Sequence, residues 1–417
     1  MSATVLGNGD SGPGDRPPIP EEIAELTDPS NRIDPYPLLN KLRDRSPYSP
    51  FDGLVVVGRH AQTSEVLRDP TMSAARDKAT ISPTARGPRT RNFLHLDPPE
   101  HTRYRRLVSG AFARRKMESL APQIRENATE LLRSGAASGT IDVIEDLAYP
   151  LPLRMICELL GVPYEDRDRI KDWSAILAES LDPQFGASAG RMTRETARAR
   201  AAFVGYFRDL VELRRAEPRE DLISHLLQAE VDGEQLDDSD ILATCVLLLN
   251  AGHETTANLI GNAILALLRH PEQYERLRAD PTLAAATVEE VLRYDAPVQM
   301  TARVARQPGT IGDTELRPGD TILLLIGAAN RDPDVYPDPA RFDIDRVHGT
   351  PHLAFSAGAH FCLGAPLARL EATIALELFG TLMREPRLRP DGVAYKPNLN
   401  LRGLARLPVD VDGVGSR

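Results

Sequence analysis

Apolar residues along this chain recur mostly at the spacing of amphipathic helices, and only short runs alternate as strands do. The longest apolar stretch is ILATCVLLLNAGHETTANLIGNAILALL. Its uninterrupted part, 241–249, is too short to cross a membrane, because a spanning helix needs about 20 apolar residues. No proline interrupts 240–270, so the pattern predicts one buried helix about 45 Å long. We expect Ser239 or Asp240 to cap this helix, with Pro271 just after its end.

Helical patterns also dominate the rest of the chain, and strand-like runs are confined to 53–60 and 302–326. The pattern therefore predicts a mainly α fold with small β-sheets in a single large domain. No glycine-rich fingerprint follows a strand, which argues against a separate dinucleotide-binding domain. The further helical stretches are 100–134, 141–230, 286–297 and 365–383.

The composition excludes several classes of protein. The chain has 417 residues and a formal net charge of −10, whereas nucleic-acid binding requires a basic surface. Its three cysteines cannot form a disulfide framework, which favours a cytoplasmic location. Residues 1–20 are polar, rich in Gly and Pro, and lack the apolar core of a signal peptide or membrane anchor. We expect a disordered lead over 1–20 and a folded domain over 21–417.

Cys362 lies in a glycine-bearing loop, FSAGAHFCLGAP, whereas the other two cysteines lie in apolar helical runs. Three interpretations compete: a small buried hydrophobic residue, a nucleophile activated by His360, or a metal ligand. Zinc and iron–sulfur sites need about four ligands, and the sequence offers no second cysteine nearby. A single thiolate is sufficient for haem iron, whose equatorial ligands come from the porphyrin.

The residues around Cys362 suit the haem interpretation. A helix is expected to start near Pro366, and its free N–H groups and dipole would hold a thiolate and lower its pKa. Gly358 and Gly364 carry no side chain, so the backbone there can approach a flat macrocycle. His360 can donate a hydrogen bond to a haem propionate.

Three motifs, in this order along the chain, resemble those of the cytochrome P450 superfamily, and the soluble bacterial members are the most similar. The resemblance extends from about residue 30 to the C-terminus. It implies a P450 catalytic domain over 21–417, with a long central helix over haem b and Cys362 as the axial ligand of the iron. The motifs are Ala251-Gly252-His253-Glu254-Thr255-Thr256, Glu290-x-x-Arg293, and Phe355-x-x-Gly358-x-His360-x-Cys362-x-Gly364.

The same resemblance assigns further residues to the haem. His101 and Arg105, one helical turn apart in DPPEHTRYRR, and Arg303 are expected to contact the propionates. His95 is a further candidate. The Glu290–Arg293 pair is expected to be buried, with Arg341 as its third member, and its role is structural.

The motif at 251–256 resembles the oxygen-binding helix motif of the family, and its side chains suggest how it would work. Thr255 can donate its hydroxyl to the carbonyl of Ala251, four residues back. Together with Gly252, which has no side chain, it could open the helix and leave room for dioxygen. Glu254 would supply protons through water. His253 is not expected to be a sixth ligand, because a strong ligand there would block oxygen.

The substrate is expected to be a mid-sized lipophilic molecule. By resemblance, its contacts come from five separated parts of the chain, and the side chains there are apolar. The predicted pocket residues are Phe93, Leu94, Leu177, Leu249, Ala251, Val298, Met300 and Leu399.

The resemblance implies a monooxygenase that inserts one atom of O2 into its substrate, with electrons from a ferredoxin and an NAD(P)H-dependent ferredoxin reductase. The basic run from Arg103 to Lys116 is the expected docking surface for an acidic ferredoxin. No nucleic-acid or membrane partner is expected. The alternatives are a haem-thiolate peroxygenase or non-oxygenase, a haem-binding sensor or carrier, and a cysteine hydrolase that uses Cys362 and His360.

Overall fold

The computed structural model describes residues 20–81, 93–179, 194–231, 233–347 and 349–415. About half of these residues lie in α-helices. They are α1 Glu21–Thr27, α2 Tyr36–Arg45, α3 His60–Arg68, α4 Glu100–Ser109, α5 Arg114–Glu118, α6 Ala121–Gly135, α7 Pro150–Leu160, α8 Arg167–Glu179, α9 Arg194–Ala216, α10 Leu222–Gln228, α11 Asp238–Arg269, α12 Pro271–Ala279, α13 Ala284–Tyr294, α14 Ile326–Ala329 and α15 Ala365–Leu382.

The strands are short and mostly antiparallel. The largest sheet has the order β1-β2-β10-β7-β3, in which β2 and β10 are parallel. A second sheet has the order β11-β14-β4, and the pairs β5-β6, β8-β9 and β12-β13 form three two-stranded ribbons. The bounds are β1 Tyr48–Phe51, β2 Leu54–Val57, β3 Met72–Ser73, β4 Thr140–Asp142, β5 Glu230–Val231, β6 Glu234–Gln235, β7 Thr301–Ala305, β8 Gly309–Ile311, β9 Thr314–Leu316, β10 Thr321–Leu324, β11 Arg387–Leu388, β12 Ala394–Tyr395, β13 Leu404–Arg406 and β14 Pro408–Asp410.

Helix α11 is the centre of the molecule. It runs without a break for 32 residues and packs against α7, α9, α13 and α15. Its N-cap is Asp237, whose side chain accepts a hydrogen bond from the backbone N–H of Asp240, so the predicted caps Ser239 and Asp240 are wrong. The helical segment continues through Gly252 and Thr255, and the local opening expected at these two residues stays a prediction.

Two parts of the fold, helix α15 and the five-stranded sheet, position the candidate site residues Cys362 and Arg303. The N-terminus of α15 follows the Cys362 loop directly, and α15 packs along α6, α11 and α13 in the main apolar core. The five-stranded sheet has its own apolar core, and its strand β7 carries Arg303. The hairpin β12–β13, which lies near the C-terminus of the chain, packs against α11.

The mainly α fold class is confirmed, as are the helices at 286–297 and 365–383 to within a few residues. Strand β4 interrupts the stretch 141–230 that we predicted to be helical, because Ile141 pairs with Val409 near the C-terminus. Within the described ranges, no helix combines the length and apolar character needed to cross a bilayer. Of the predicted disordered lead 1–20, residues 1–19 lie outside the described residues, so this prediction is untested.

Candidate active site

The Cys362 loop is held by its own backbone. The N–H of Cys362 donates to the carbonyl of Phe355 at 2.9 Å, which closes the loop. Gly358 adopts φ +67°, and a Cβ there would lie 2.7 Å from the carbonyl oxygen of Leu67 in α3, so this position requires glycine. Gly358 therefore fixes the loop against α3. Gly364 differs, because nothing lies within 4 Å of its Cβ direction.

Opposing influences act on the Cys362 thiol. Burial raises its pKa, whereas hydrogen bonds from the backbone N–H groups of Gly364 and Ala365 and the charges of Arg105 and Arg369 lower it. Burial prevails, so the pKa of Cys362 is raised overall, although the two N–H groups at the helix start lower it as expected. The N–H groups nevertheless point at the sulfur, as the start of a helix allows.

Basic side chains converge next to this loop. The rings of His101 and His360 lie 4.1 Å apart between centroids. The positive charges of Arg303 and Arg105 contribute to lowering the pKa of both histidines. Burial, then the neighbouring His101 and Arg303, lower the pKa of His360 to about 3. Burial, then the charge of Arg76, lower the pKa of Arg303 to about 10. Four predicted cofactor residues therefore meet in one place, together with Arg76, which we did not predict.

This arrangement fits an anionic planar cofactor. His101 is buried, and its Nε2 has no hydrogen-bond partner among the described residues. The guanidinium of Arg303 donates to the carbonyl of its own neighbour Ala302 at 2.9 Å. The buried charge of Arg303 is costly, and Asp97, whose charge acts on it, is already bound to Lys78, so a ligand bearing carboxylates would offset this cost. No group of three or more His, Cys, Asp or Glu in the described ranges is arranged to bind a metal ion, which suits a single protein ligand.

The side chains of the 251–256 motif point in different directions. Thr255 donates its hydroxyl to the carbonyl of Ala251 at 2.8 Å, which confirms the predicted bond. Ala251 is exposed and Thr255 is half-buried, although both lie in the middle of a mostly buried helix. A Cβ on Gly252 would approach Ile156 Cδ1 of α7 at 3.0 Å. The glycine therefore allows close packing of α7 on α11, which differs from the role we expected beside the cofactor.

His253 is engaged on both ring nitrogens. Its Nδ1 lies 2.6 Å from the carbonyl of Leu249, and its Nε2 lies 3.3 Å from the hydroxyl of Tyr149. Burial lowers the pKa of His253, so a neutral ring joins α11 to the start of α7. This geometry agrees with the expectation that His253 is not a ligand.

The pair Glu290–Arg293 is completely buried and bidentate, with N–O distances of 2.8 and 2.7 Å. Arg293 also donates to three carbonyls in 330–341, which ties α13 to the coil before the cysteine loop. The third member of this cluster is Arg346, whose guanidinium Nε lies 3.2 Å from Glu290 Oε1. The prediction of Arg341 is wrong for the side chain, which is 62 % exposed. Only its carbonyl takes part, because the chain turns back at Asp343 and brings Arg346 to the carboxylate.

Helix α13 has a second connection to the cysteine loop. Glu289 binds Arg369 of α15 through both carboxylate oxygens, at 2.6 and 3.0 Å, and lies 3.3 Å from His352. Although burial alone would raise the pKa of Glu289, these partners hold it at about 2. The Arg369 guanidinium lies 4.6 Å above the ring of Phe355. Sequence reasoning missed Arg369, although its position one helical turn after Ala365 was a usable signal.

The predicted substrate residues fall into separate groups. Met300 and Leu399 are buried in an apolar core formed with α1 and α2, whereas Val298 is half-buried and forms a β-bridge with Leu401. Phe93 is buried 6.5 Å from His101 between ring centroids, and its neighbour Leu94 is 42 % exposed.

Two further pocket predictions have different outcomes. Leu249 is 0 % exposed in the main core, and two residues along a helix place it on the side away from Ala251, so its assignment to the pocket is wrong. Leu177 is half-buried on α8 and packs against the main core.

Comparison with known proteins gives a consistent answer. The family model described as Cytochrome P450 matches residues 50–409. The chain is 38% identical over 397 residues to Cytochrome P450 109 of Bacillus spizizenii, covering 94% of this chain and 95% of that protein. It is 36% identical to 6-deoxyerythronolide B hydroxylase of Saccharopolyspora erythraea, covering 94% and 99%.

Solved structures agree with these relatives. The ligand-free crystal structure of CYP164A2 from Mycobacterium smegmatis is 45% identical and has a TM-score of 0.86, with 94% of this chain and 99% of that chain covered. The family binds haem through a cysteine thiolate, and the basic cluster and the Cys362 loop fit that cofactor. The chain therefore belongs to the cytochrome P450 family of haem-thiolate monooxygenases.

Proposed function

We propose that Cys362 is the axial ligand of the haem iron in this monooxygenase. The observation that carries the proposal is the direction of the Gly364 and Ala365 N–H groups toward the Cys362 sulfur, beside the open Cβ position of Gly364. Haem supplies the activation of O2 when it is bound. His101, Arg105, Arg303 and His360 would hold its propionates, and Arg76 adds positive charge next to Arg303.

Thr255 and Glu254 of α11 are the residues that we propose transfer protons in this site. The Thr255 hydroxyl lies on the exposed face of α11 with Ala251, where a small molecule can reach it. Glu254 precedes it and is joined to Lys396 at 2.5 Å. The Thr255 hydroxyl would bind and orient such a small molecule, and the Glu254 carboxylate would exchange a proton with solvent water.

The proposed reaction is hydroxylation or epoxidation of a mid-sized lipophilic molecule in secondary metabolism. The pocket residues Phe93, Ala251, Val298, Met300 and Leu399 are apolar, which supports a substrate of low polarity. One relative bears the name of a hydroxylase, which supports hydroxylation. The cysteine-hydrolase alternative is not favoured, because no hydrogen bond joins Cys362 to His360 in the described part of the chain.

Electrons are proposed to come from a ferredoxin and its NAD(P)H-dependent reductase. Arg105 of α4 donates to the carbonyl of Phe361 at 2.6 Å, so α4 adjoins the cysteine loop, and α5 packs against α15, the helix that follows this loop. Arg106, Arg114, Arg115 and Lys116 are exposed there. Exposed positive charge on this side would attract an acidic partner and speed its association.

Thr255→Ala tests the proton-handling role. We expect the variant to bind haem and substrate normally but to convert a larger share of the NAD(P)H it consumes into hydrogen peroxide. NAD(P)H, peroxide and product would be measured with a surrogate ferredoxin system, using a library compound selected by its shift of the haem spin-state spectrum.

Thr256→Ala is the matched control, because Thr256 makes the same type of bond to the carbonyl of Gly252 at 3.1 Å but is buried on another face. The proposal predicts that Thr256→Ala keeps the wild-type ratio of product to NAD(P)H. Equal coupling in both variants and in the wild type would remove Thr255 from the mechanism.

A further inference from the structure

A row of polar side chains on α11 attaches the C-terminal hairpin to the helix. Glu254, Asn258 and Asn262 are spaced by four residues and so share one face. Lys396, next to β12, donates to Glu254 Oε1 at 2.5 Å and to Asn258 Oδ1 at 3.0 Å. Asn262 Nδ2 donates to the carbonyl of Arg402 at 3.2 Å, on the other side of the hairpin. The acid proposed for proton transfer is therefore part of this attachment.

The contact between Lys396 and Glu254 is enclosed. Their side chains are 18 % and 9 % exposed. The N–H of Lys396 donates to the carbonyl of Gly403 across the hairpin at 3.0 Å, and a Cβ on Gly403 would overlap the amide of Asn258. Side chain and backbone together place the ammonium at the carboxylate, and enclosed ion pairs of this kind hold their geometry better than exposed ones.

The tip of the same hairpin reaches the predicted substrate residues. Leu399 lies at this tip, and Leu401 forms a β-bridge with Val298. The N–H of Gln299 donates to the carbonyl of Asn400 at 2.9 Å. A molecule that displaces Leu399 or Val298 therefore pushes on the segment that carries Lys396.

We propose that Lys396 is a positioning residue that withholds Glu254 from proton transfer until substrate moves the hairpin. The proposal rests on the function proposed above. Adjacent side chains on a helix point about 100° apart, so a Glu254 carboxylate bound to Lys396 is turned away from the Thr255 hydroxyl. Once released, Glu254 takes a proton from solvent water, passes it toward the Thr255 side, and returns as the carboxylate to Lys396.

Four variants test this gate without a substrate: Lys396→Met, Lys396→Arg, Lys396→Met with Glu254→Gln, and Lys171→Met. NAD(P)H consumption would be measured for each holoprotein with a surrogate ferredoxin system. We expect Lys396→Met to consume NAD(P)H several-fold faster than wild type, because Glu254 is no longer held. Lys396→Arg should restore the slow rate, and adding Glu254→Gln should remove the increase.

Lys171→Met is the matched control, since it deletes an ion pair to Glu145 at 2.7 Å on the surface. It should leave the rate unchanged. Backbone hydrogen exchange gives a readout independent of turnover, and amides of 394–406 should exchange several-fold faster in both variants that carry Lys396→Met. Lys396→Gln replaces Lys396→Met if the latter does not fold.

Faster exchange with an unchanged NAD(P)H rate would show that Lys396 only fixes the hairpin, and the proposal would be wrong. An increase that persists without the Glu254 carboxylate would also overturn it. A wild-type protein that binds haem but accepts no electrons would instead count against the proposed function.

Discussion

Glu371 on α15 is a carboxyl enclosed in the apolar core. It is 1 % exposed, and its Oε2 has no hydrogen-bond partner in the described part of the chain. Burial raises the pKa of Glu371 well above its usual value. The folded protein therefore keeps this proton to a higher pH than the unfolded chain, which releases it above a pH of about 4.3.

Glu371→Gln should stabilise the protein in a pH-dependent way. A raised folded pKa means that the wild type loses stability as pH rises above the unfolded pKa, at about 1.4 kcal/mol per pH unit, until the folded pKa is reached. The advantage of the glutamine variant should therefore grow as pH rises above the unfolded pKa of about 4.3 and level off at the raised folded pKa, as measured by thermal unfolding of the holoprotein. Glu377→Gln is the control: Glu377 lies on the same helix as Glu371, its half-buried pair with Arg125 of α6 is lost, and the variant should show no such gain. A pH-independent difference for Glu371→Gln would contradict the assigned protonation.

Arg346 and Arg341 allow a matched test of the buried cluster. Arg346→Ala removes the guanidinium at Glu290 Oε1, and breaking a buried pair costs about 3–5 kcal/mol. Arg341→Ala removes an exposed side chain and should change the free energy of unfolding by about 0.5 kcal/mol or less. Yields of holoprotein and melting temperatures of both variants give the comparison. Equal losses would mean that the Arg341 side chain takes part after all.

At the scale of secondary-structure elements, helices with strong apolar periodicity were predictable. Helix α15 begins at Ala365 and α13 ends at Tyr294, close to the predicted bounds, because local spacing and prolines determine such ends. Strand β4 was not predictable, since its partner Val409 lies far away in sequence. The same limit explains Arg346, whose position at Glu290 depends on a turn of the coil and leaves no local pattern.

The site followed the same division. Cys362, Thr255 and the Glu290–Arg293 pair belong to local motifs, so they could be proposed as site or structural residues from the sequence. The ion pair between Lys396 and Glu254 and the proximity of the two positive charges of Arg76 and Arg303 involve segments more than 100 residues apart in sequence. Such contacts depend on tertiary packing, so a lysine at 396 or an arginine at 76 does not by itself indicate its partner.

At the scale of the whole molecule, charge on the side of the cysteine loop should control reduction. Charge reversal of Arg114, Arg115 and Lys116 together should slow reduction by an acidic ferredoxin at low salt and weaken its dependence on ionic strength, because exposed charges act over about 10 Å at 0.1 M salt. Stopped-flow reduction of the haem provides the measurement.

Reversal of Arg387 and Arg389 is the control for that experiment. These residues follow the far end of α15, which is 18 residues or about 27 Å long, so they lie away from Cys362. Their reversal should leave the reduction rate and its salt dependence nearly unchanged. Equal slowing by both sets would indicate a response to net charge and would place no docking surface at α5.

The central claim is that Cys362 ligates the haem, and the reduced carbon-monoxide spectrum tests it most directly. The wild type should show the red-shifted band characteristic of a haem with a thiolate ligand. Cys157→Ala and Cys245→Ala should keep that band, since both thiols are buried in the core and burial raises the pKa of each. Cys362→Ala should lose it. A Cys362→Ala protein that retains the thiolate band, or a wild type that never shows it, would contradict the account.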